Sequence, residues 1–169
     1  MKKLIFISLL FSILSLSVSA QKPTKAEKAA QLEQEFQQTR QLIESNHFQF
    51  ELNRVYPQDG QDLSRFNPRG KFVITDSVAK GTLPFFGRAY SLPYGEGGGI
   101  EFDGVMKDQS LKIEHKKKRK ILIYRFSITA KNDTYQISME ISGGGNCSVN
   151  LNSNNRAQIS YSGTVSPVK

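Results

Sequence analysis

The sequence predicts a mostly β protein of the α+β class, in which one N-terminal helix packs on a strongly curved antiparallel β-meander or flattened barrel of about eight strands. Three observations carry that expectation. Three-and-four apolar spacing occurs once, between Ala29 and Ile43, whereas period-two alternation recurs from Phe48 to Tyr161. The alternating runs are separated by short Gly/Asn/Asp turns with no helical pattern between them, which favours hairpins over βαβ units. A lone cysteine, Cys147, leaves packing rather than disulfides to hold the chain, and its alternation with Val149 and Leu151 reads as a buried, inert thiol. A two-sheet β-sandwich is the alternative that the same pattern allows.

Residues 1–20 read as a signal peptide. Lys2 and Lys3 form a basic n-region, Leu4 to Leu16 an apolar stretch, and Val18-Ser19-Ala20 a small-residue cleavage site. The apolar stretch is shorter than the roughly 20 residues a bilayer requires. Cleavage after Ala20 leaves 149 of the 169 residues, one domain's worth, with 21–46 as the helical segment and 47–169 as the β domain. The expected product is soluble, periplasmic or secreted, and has no transmembrane span. No cysteine near Ala20 offers a lipid attachment point. Formal net charge is +8, falling to +6 without Lys2 and Lys3, a mild basicity that bears on solubility rather than fold.

Taken in order, Thr24 and Glu27 form a capping box that starts the helix. Its narrow apolar stripe runs through Ala29, Leu32, Phe36, Thr39 and Ile43, and Ser45-Asn46-His47 ends the period. Phe48, Phe50 and Leu52 alternate with polar residues as the first strand. Pro57-Gln58-Asp59-Gly60 is a turn, followed by a polar loop with Leu63 and Phe66 as plugs. Phe72 and Ile74 begin a second strand that continues past Asp76 to Val78. Ile100 and Phe102 form a third, Leu111 and Ile113 a fourth, with Asp103-Gly104 and Lys107-Asp108 as turns between them. Ile121 to Ala130 is a central strand, apolar on both faces at its start. Asn132-Asp133, Gly143 to Gly145 and Asn152 to Asn155 then turn the chain into strands through Tyr135 to Ile141, Cys147 to Leu151, and Ala157 to Tyr161.

One stretch resists assignment to helix or strand. Leu83 to Phe102, LPFFGRAYSLPYGEGGGIEF, concentrates prolines, glycines and aromatic rings. Its Gly95-Glu96-Gly97-Gly98-Gly99 run lacks the third fingerprint glycine, where Ile100 stands, and leads into a strand. Neither a dinucleotide nor a Walker loop fits. Arg88, Tyr90 and Tyr94 are the residues here able to recognise a ligand, through a guanidinium fork and rings with polar tips. Arg156 and Tyr161, on a late strand, would extend the same surface. The competing reading places the rings in the core and uses Arg88 to tie down carbonyls left free by irregular backbone.

Lys116, Lys117, Lys118, Arg119 and Lys120 form a basic hairpin tip, which reads either as a solvated turn or as a contact for an anionic surface. Hydrolytic chemistry finds little support. His47 and His115 sit in no ligand-spaced motif, and Glu101 and Asp103 alternate with Ile100 and Phe102 as an ordinary wet face, with Glu96 nearby. The sequence therefore predicts no catalytic residues, no metal and no cofactor.

Pro84-Phe85-Phe86-Gly87-Arg88-Ala89-Tyr90, Pro93-Tyr94-Gly95, Gly97 to Phe102 and the late Asn155-Arg156-Ala157-Gln158-Ile159-Ser160-Tyr161-Ser162-Gly163 together resemble the signature of domain of unknown function 4251, a family of exported proteins of Bacteroidetes-type bacteria. The resemblance covers nearly the whole mature chain. It implies export and a single domain, and it carries no activity. Asp76-Ser77-Val78 also resembles the three-residue O-glycosylation site of such bacteria. The function expected is an exported, non-enzymatic binding or interaction protein of the cell envelope. Its partner would be an envelope glycan, an anionic surface or another envelope protein, and not nucleic acid. The alternatives are an envelope accessory that touches an anionic surface through its basic tip, and a hydrolase of unrecognised type.

Overall fold

The computed structural model describes residues 24–91, 98–116, 119–130 and 133–168. Two units divide the chain, one ending at Gln31 and the other beginning at Leu32. Helix α1, Lys25–Glu44, starts in the first. There the Thr24 N–H donates to the Glu27 carboxylate at 2.7 Å and the Glu27 N–H donates to Thr24 Oγ1 at 3.2 Å, the reciprocal capping box expected from the sequence.

The second unit holds the rest of α1 and eight strands: β1 His47–Pro57, β2 Lys71–Thr75, β3 Val78–Leu83, β4 Ile100–Lys116, β5 Arg119–Thr129, β6 Thr134–Ser142, β7 Asn146–Ser153 and β8 Ile159–Pro167. Each pairs antiparallel with the next, and β8 pairs with β1 to close the barrel. Closure removes every edge, which a sandwich could not do. The interior of an eight-stranded barrel holds either packed side chains or one small ligand. A run of rings fills much of it: Phe50 stacks on Phe72 at 5.1 Å between centroids, Phe72 meets Phe102 at 5.8 Å, and Phe102 meets Tyr135 at 6.2 Å. Cys147 lies in this interior, and burial pushes its thiol pKa up, so it remains protonated and inert.

Two inward-facing glycines permit the sharp bend. A Cβ on Gly81 would overlap the Phe72 backbone, and one on Gly163 would overlap the Glu51 carbonyl. Only glycine allows neighbouring strands to approach so closely at these corners.

Several boundaries differ from the sequence reading, although the strand count agrees. Asp76, at φ 55°, turns the chain so that Thr75 pairs with Val78; the single strand read there is two. Conversely, the two strands read between Ile100 and Ile113 are one. Asp103-Gly104 lies inside β4, and Lys107-Asp108 is a bulge rather than a turn, with Asp108 at φ 53°. An αL aspartate reads as a turn in either setting, and only the partner strand distinguishes them. A second bulge, between Leu52 and Arg54, changes which parity of β1 faces inward, from Phe48, Phe50 and Leu52 to Val55. The last strand begins at Ile159 rather than Ala157 and runs on to Pro167, supplying the residues that close on β1.

The helical stripe is shorter than its periodicity suggests. Phe36, Thr39 and Ile43 are buried, while Ala29 is exposed and Leu32 is 60% exposed. Phe36 and Ile43 join the barrel's apolar cluster, and the Phe36 backbone passes close to Gly143 in the β6–β7 turn. The buried Thr39 hydroxyl donates to the Glu35 carbonyl at 2.9 Å. Asn46, at φ 49°, then redirects the chain into β1, and its carbonyl accepts the Asp76 N–H at 2.8 Å. The C-terminal half of α1 thus covers the barrel end at which β1 starts. Phe66, read as a plug, is 59% exposed beneath the Arg65 guanidinium.

Candidate functional site

At the opposite barrel end, where β1, β3 and β7 stop, the irregular chain of residues 84–91 follows β3 and lies against the β7–β8 connection. Its residues cannot pair as a regular strand, so its carbonyls need partners from elsewhere. A short bridge supplies some of them. Ala89 pairs with Arg156 in the β7–β8 connection; the Tyr90 N–H donates to the Asn155 carbonyl at 2.8 Å, and the Ala157 N–H to the Arg88 carbonyl at 2.9 Å.

Two buried polar side chains secure the segment from beneath. The Tyr161 hydroxyl donates to the Pro84 carbonyl at 2.9 Å, and Arg156 Nη1 donates to the Gly98 carbonyl at 3.1 Å. The Arg156 guanidinium also lies over the Phe85 ring, 5.2 Å from its centroid. Its Nε sits 3.8 Å from Asp133 Oδ2, close enough for charge attraction but too long for a hydrogen bond, and has no hydrogen-bond partner among the described residues. Both ends of that ion pair are buried, which makes it a rigid but demanding clamp. Burial also pushes the Tyr161 phenol pKa up.

Above this support lies an open cleft of about 540 Å³. One wall is the chain leaving β1, with Pro57, Asp59 and Leu63; the other is the irregular segment, with Phe86, Arg88 and Tyr90, and Ala157 also contributes. Hydrogen bonds shape the first wall: the Gly60 N–H donates to the Pro57 carbonyl at 2.8 Å, the Gln61 N–H to Asp59 Oδ1 at 3.1 Å, and the Leu63 N–H to the Val55 carbonyl at 3.1 Å. Arg88 is exposed and Tyr90 is 62% exposed. Among the described residues neither Arg88 nor Tyr90 has a side-chain hydrogen-bond or ion-pair partner. Arg88 therefore ties down no stray carbonyl among the described residues. Arg156 and Tyr161 hold the Gly98 and Pro84 carbonyls instead.

The sequence-predicted ligand residues thus divide. Arg88 and Tyr90 meet at the cleft, and Tyr94 lies outside the described residues. Arg156, at 5% exposure, and Tyr161, fully buried, do not belong to a binding surface; they position the segment that forms one wall. Arg156 precedes β8 rather than lying within it, because it is held by the isolated bridge to Ala89. Asp59, Leu63 and Phe86 were not singled out as ligand residues, since the Pro57–Gly60 turn announces only a change of direction.

The basic tip is partly neutralised. Lys116 Nζ lies 2.6 Å from Glu140 Oε2, and Lys120 Nζ lies 2.9 Å from Glu33 Oε1. Lys120 also holds the Glu33 carboxyl below its usual pKa. Arg119 is exposed, while Lys117 and Lys118 lie outside the described residues. Glu101 and Asp103 face outward on β4, across from Thr82 and Lys80. They line a separate groove of about 730 Å³ on the outer face of β1 to β4. Registered rungs such as Glu51–Lys71–Thr82–Glu101 cross that groove, and Lys80 pairs with Asp103 at 2.6 Å, raising the lysine's pKa. A face whose charges already offset one another across strands is what a solvated sheet surface requires. The smaller cleft, with exposed rings and a guanidinium unpaired among the described residues, is the better candidate.

The fold and site define a class: a closed, eight-stranded, up-and-down antiparallel barrel with an apolar interior, a helix over one end, and a cleft built from irregular chain at the other. The sequence profile described as Domain of unknown function (DUF4251) matches residues 30–165, and the chain belongs to that family. A crystal structure of a DUF4251 family protein from Bacteroides eggerthii DSM 20697 is similar in fold, with a TM-score of 0.57 and 22% identity over 82% of this chain and 91% of that one. No curated protein matches the chain significantly. Among the described residues, no helix is long and apolar enough to cross a membrane.

Proposed function

We propose that this is an exported, non-enzymatic binding protein of the cell envelope, and that the Arg88/Tyr90 cleft is its binding surface. The observation that carries the reading is the convergence of a guanidinium without a partner among the described residues and of exposed rings on one cleft whose rear wall is clamped by buried residues. Such a site arrives preorganised, which lowers the cost of binding. A volume of about 540 Å³ is also within the usual size of a small-molecule site.

Export rests on the pattern of residues 1–20. Placement outside lipid is supported by polarity: rings and aliphatic chains face inward and charges face outward, the reverse of a barrel that spans a bilayer. The absence of catalysis is supported by separation, since Glu101, Asp103, His47 and His115 do not line the cleft. Contact between the basic tip and an anionic surface is the weaker reading, because Lys116 and Lys120 already carry carboxylate partners.

A thermal-shift screen of glycans, amino acids and other metabolites tests the proposal. Ligands that raise the melting temperature of the wild-type chain should lose that effect in Arg88→Ala and Tyr90→Ala, while the unliganded variants melt within about 1–2 °C of wild type, as exposed substitutions do. Ligand-induced shifts that survive both substitutions would move the binding surface elsewhere.

A further inference from the structure

The two walls of the cleft carry opposite charges that do not meet. Asp59 stands on the β1 side and Arg88 on the irregular segment, and both are exposed. They form no ion pair within 4.0 Å with each other or with any other described residue. The neighbouring charges are already engaged: Arg54 lies 3.5 Å from Asp62, whose carboxylate also accepts from the Ser64 N–H at 2.9 Å. Asp59 Oδ1 receives the Gln61 N–H, which leaves Oδ2 open. The rest of the cleft lining is mixed, with Leu63, Phe86 and Ala157 apolar and Gln58 and Gln61 polar.

Resting on the binding role just proposed, we infer that the ligand of this cleft is zwitterionic, a free amino acid or short peptide whose carboxylate meets Arg88 and whose ammonium meets Asp59. A simple anion would gain from Arg88 but be opposed by Asp59, and a simple cation the reverse. A neutral sugar would leave both charges uncompensated as it displaced their water. A molecule with separated opposite charges satisfies both walls, and its uncharged body meets a lining that offers apolar contact at Leu63, Phe86 and Ala157 and amide partners at Gln58 and Gln61. Arg presents a planar donor fork that matches carboxylate geometry, and Asp59 Oδ2 accepts from an ammonium.

The test uses chemical-shift titration of the mature chain with a set of dipeptides bearing apolar, acidic and basic side chains. N-acetylated and C-amidated forms of the same dipeptides, and N-acetylglucosamine oligomers, complete the panel. Free dipeptides should move the Tyr90 and Ala157 resonances, and either cap should weaken binding roughly three- to tenfold, the range of partly exposed charge-assisted contacts. Arg88→Gln should weaken the free dipeptide but leave the amidated form unchanged, and Asp59→Asn should do the same for the free and acetylated forms. Capped dipeptides that bind as well as free ones would overturn the inference. If the glycans move the cleft resonances and the dipeptides do not, the zwitterion is refuted while the binding role stands. If nothing in the panel moves them, both fall.

Discussion

At the barrel end where β1 begins, Phe36 and Ile43 of α1 join the apolar cluster, the buried Thr39 hydroxyl is satisfied within its own helix, and the Tyr124 hydroxyl donates to Asn46 Oδ1 at 3.1 Å. At the end where β1 stops, the covering chain is irregular, and Arg156 and Tyr161 reach up from inside to hold the Pro84 and Gly98 carbonyls. The covering helix itself is held chiefly by non-directional burial, the irregular chain by directed hydrogen bonds to single atoms. Burial tolerates exchange among apolar side chains of similar volume. Directed bonds tolerate almost none, yet they let the outer surface of the covering chain remain polar, aromatic and open. That freedom is why the cleft forms at one end only.

The contrast can be broken by substitution. Phe36→Ala should have the largest effect, about 3 kcal/mol of unfolding free energy read by urea denaturation, since it combines lost burial with a cavity. Amide resonances around Tyr90 and Ala157 should be unmoved. Arg156→Met should cost about 2 kcal/mol, because it removes the cation beside the buried Asp133 carboxylate, which keeps only its Thr134 and Ser153 donors, and frees the Gly98 carbonyl. Unlike the helix substitution, it should speed hydrogen exchange at the Tyr90 and Ala157 amides, which bridge the two covering segments. If exchange there stays at wild-type rates, Arg156 does not support the cleft wall.

Tyr161→Phe should cost about 1 kcal/mol by leaving the Pro84 carbonyl without its donor. Alkaline pH probes the buried phenols more gently. Burial raises the Tyr124 pKa to about 12 and pushes Tyr161 up as well, against an unfolded value near 10. Their stabilisation is complete below pH ~10 and is lost as pH rises through the folded values. Urea midpoints measured between pH 9 and 12 should therefore fall, and Tyr124→Phe should flatten the decline. Smallest of all, Arg88→Gln should change stability by less than about 0.5 kcal/mol while altering ligand binding.

Much of this molecule is legible locally. The capping box, the α1 boundaries, the inward faces of β5, β6 and β7, and the burial of Cys147 follow from spacing alone, because a strand's faces repeat every two residues and a helix's about every 3.6. The bulges at Leu52/Arg54 and Lys107/Ser110 are not legible, since a bulge is defined against a partner strand. Asp76 and Asp108 show this directly: each is an αL aspartate, but one ends a strand and the other only bends it.

The site divides along the same line. Sequence picked out Arg88, Tyr90, Arg156 and Tyr161 as the polar and aromatic residues of two unusual segments, and those segments do meet. Which arginine is clamp and which is free could not be read there, because residue type sets what a side chain can bond and only its neighbours set whether it must. By itself the sequence determined the helix, the alternation of the strands and the shortage of catalytic motifs, all consequences of local period and composition. Tertiary structure decided the closure of β8 on β1, the burial of Arg156 beside Asp133, and the placement of Asp59 and Arg88 on separate walls of one cleft. Each of those depends on contacts between residues far apart in the chain, whose positions no local pattern specifies.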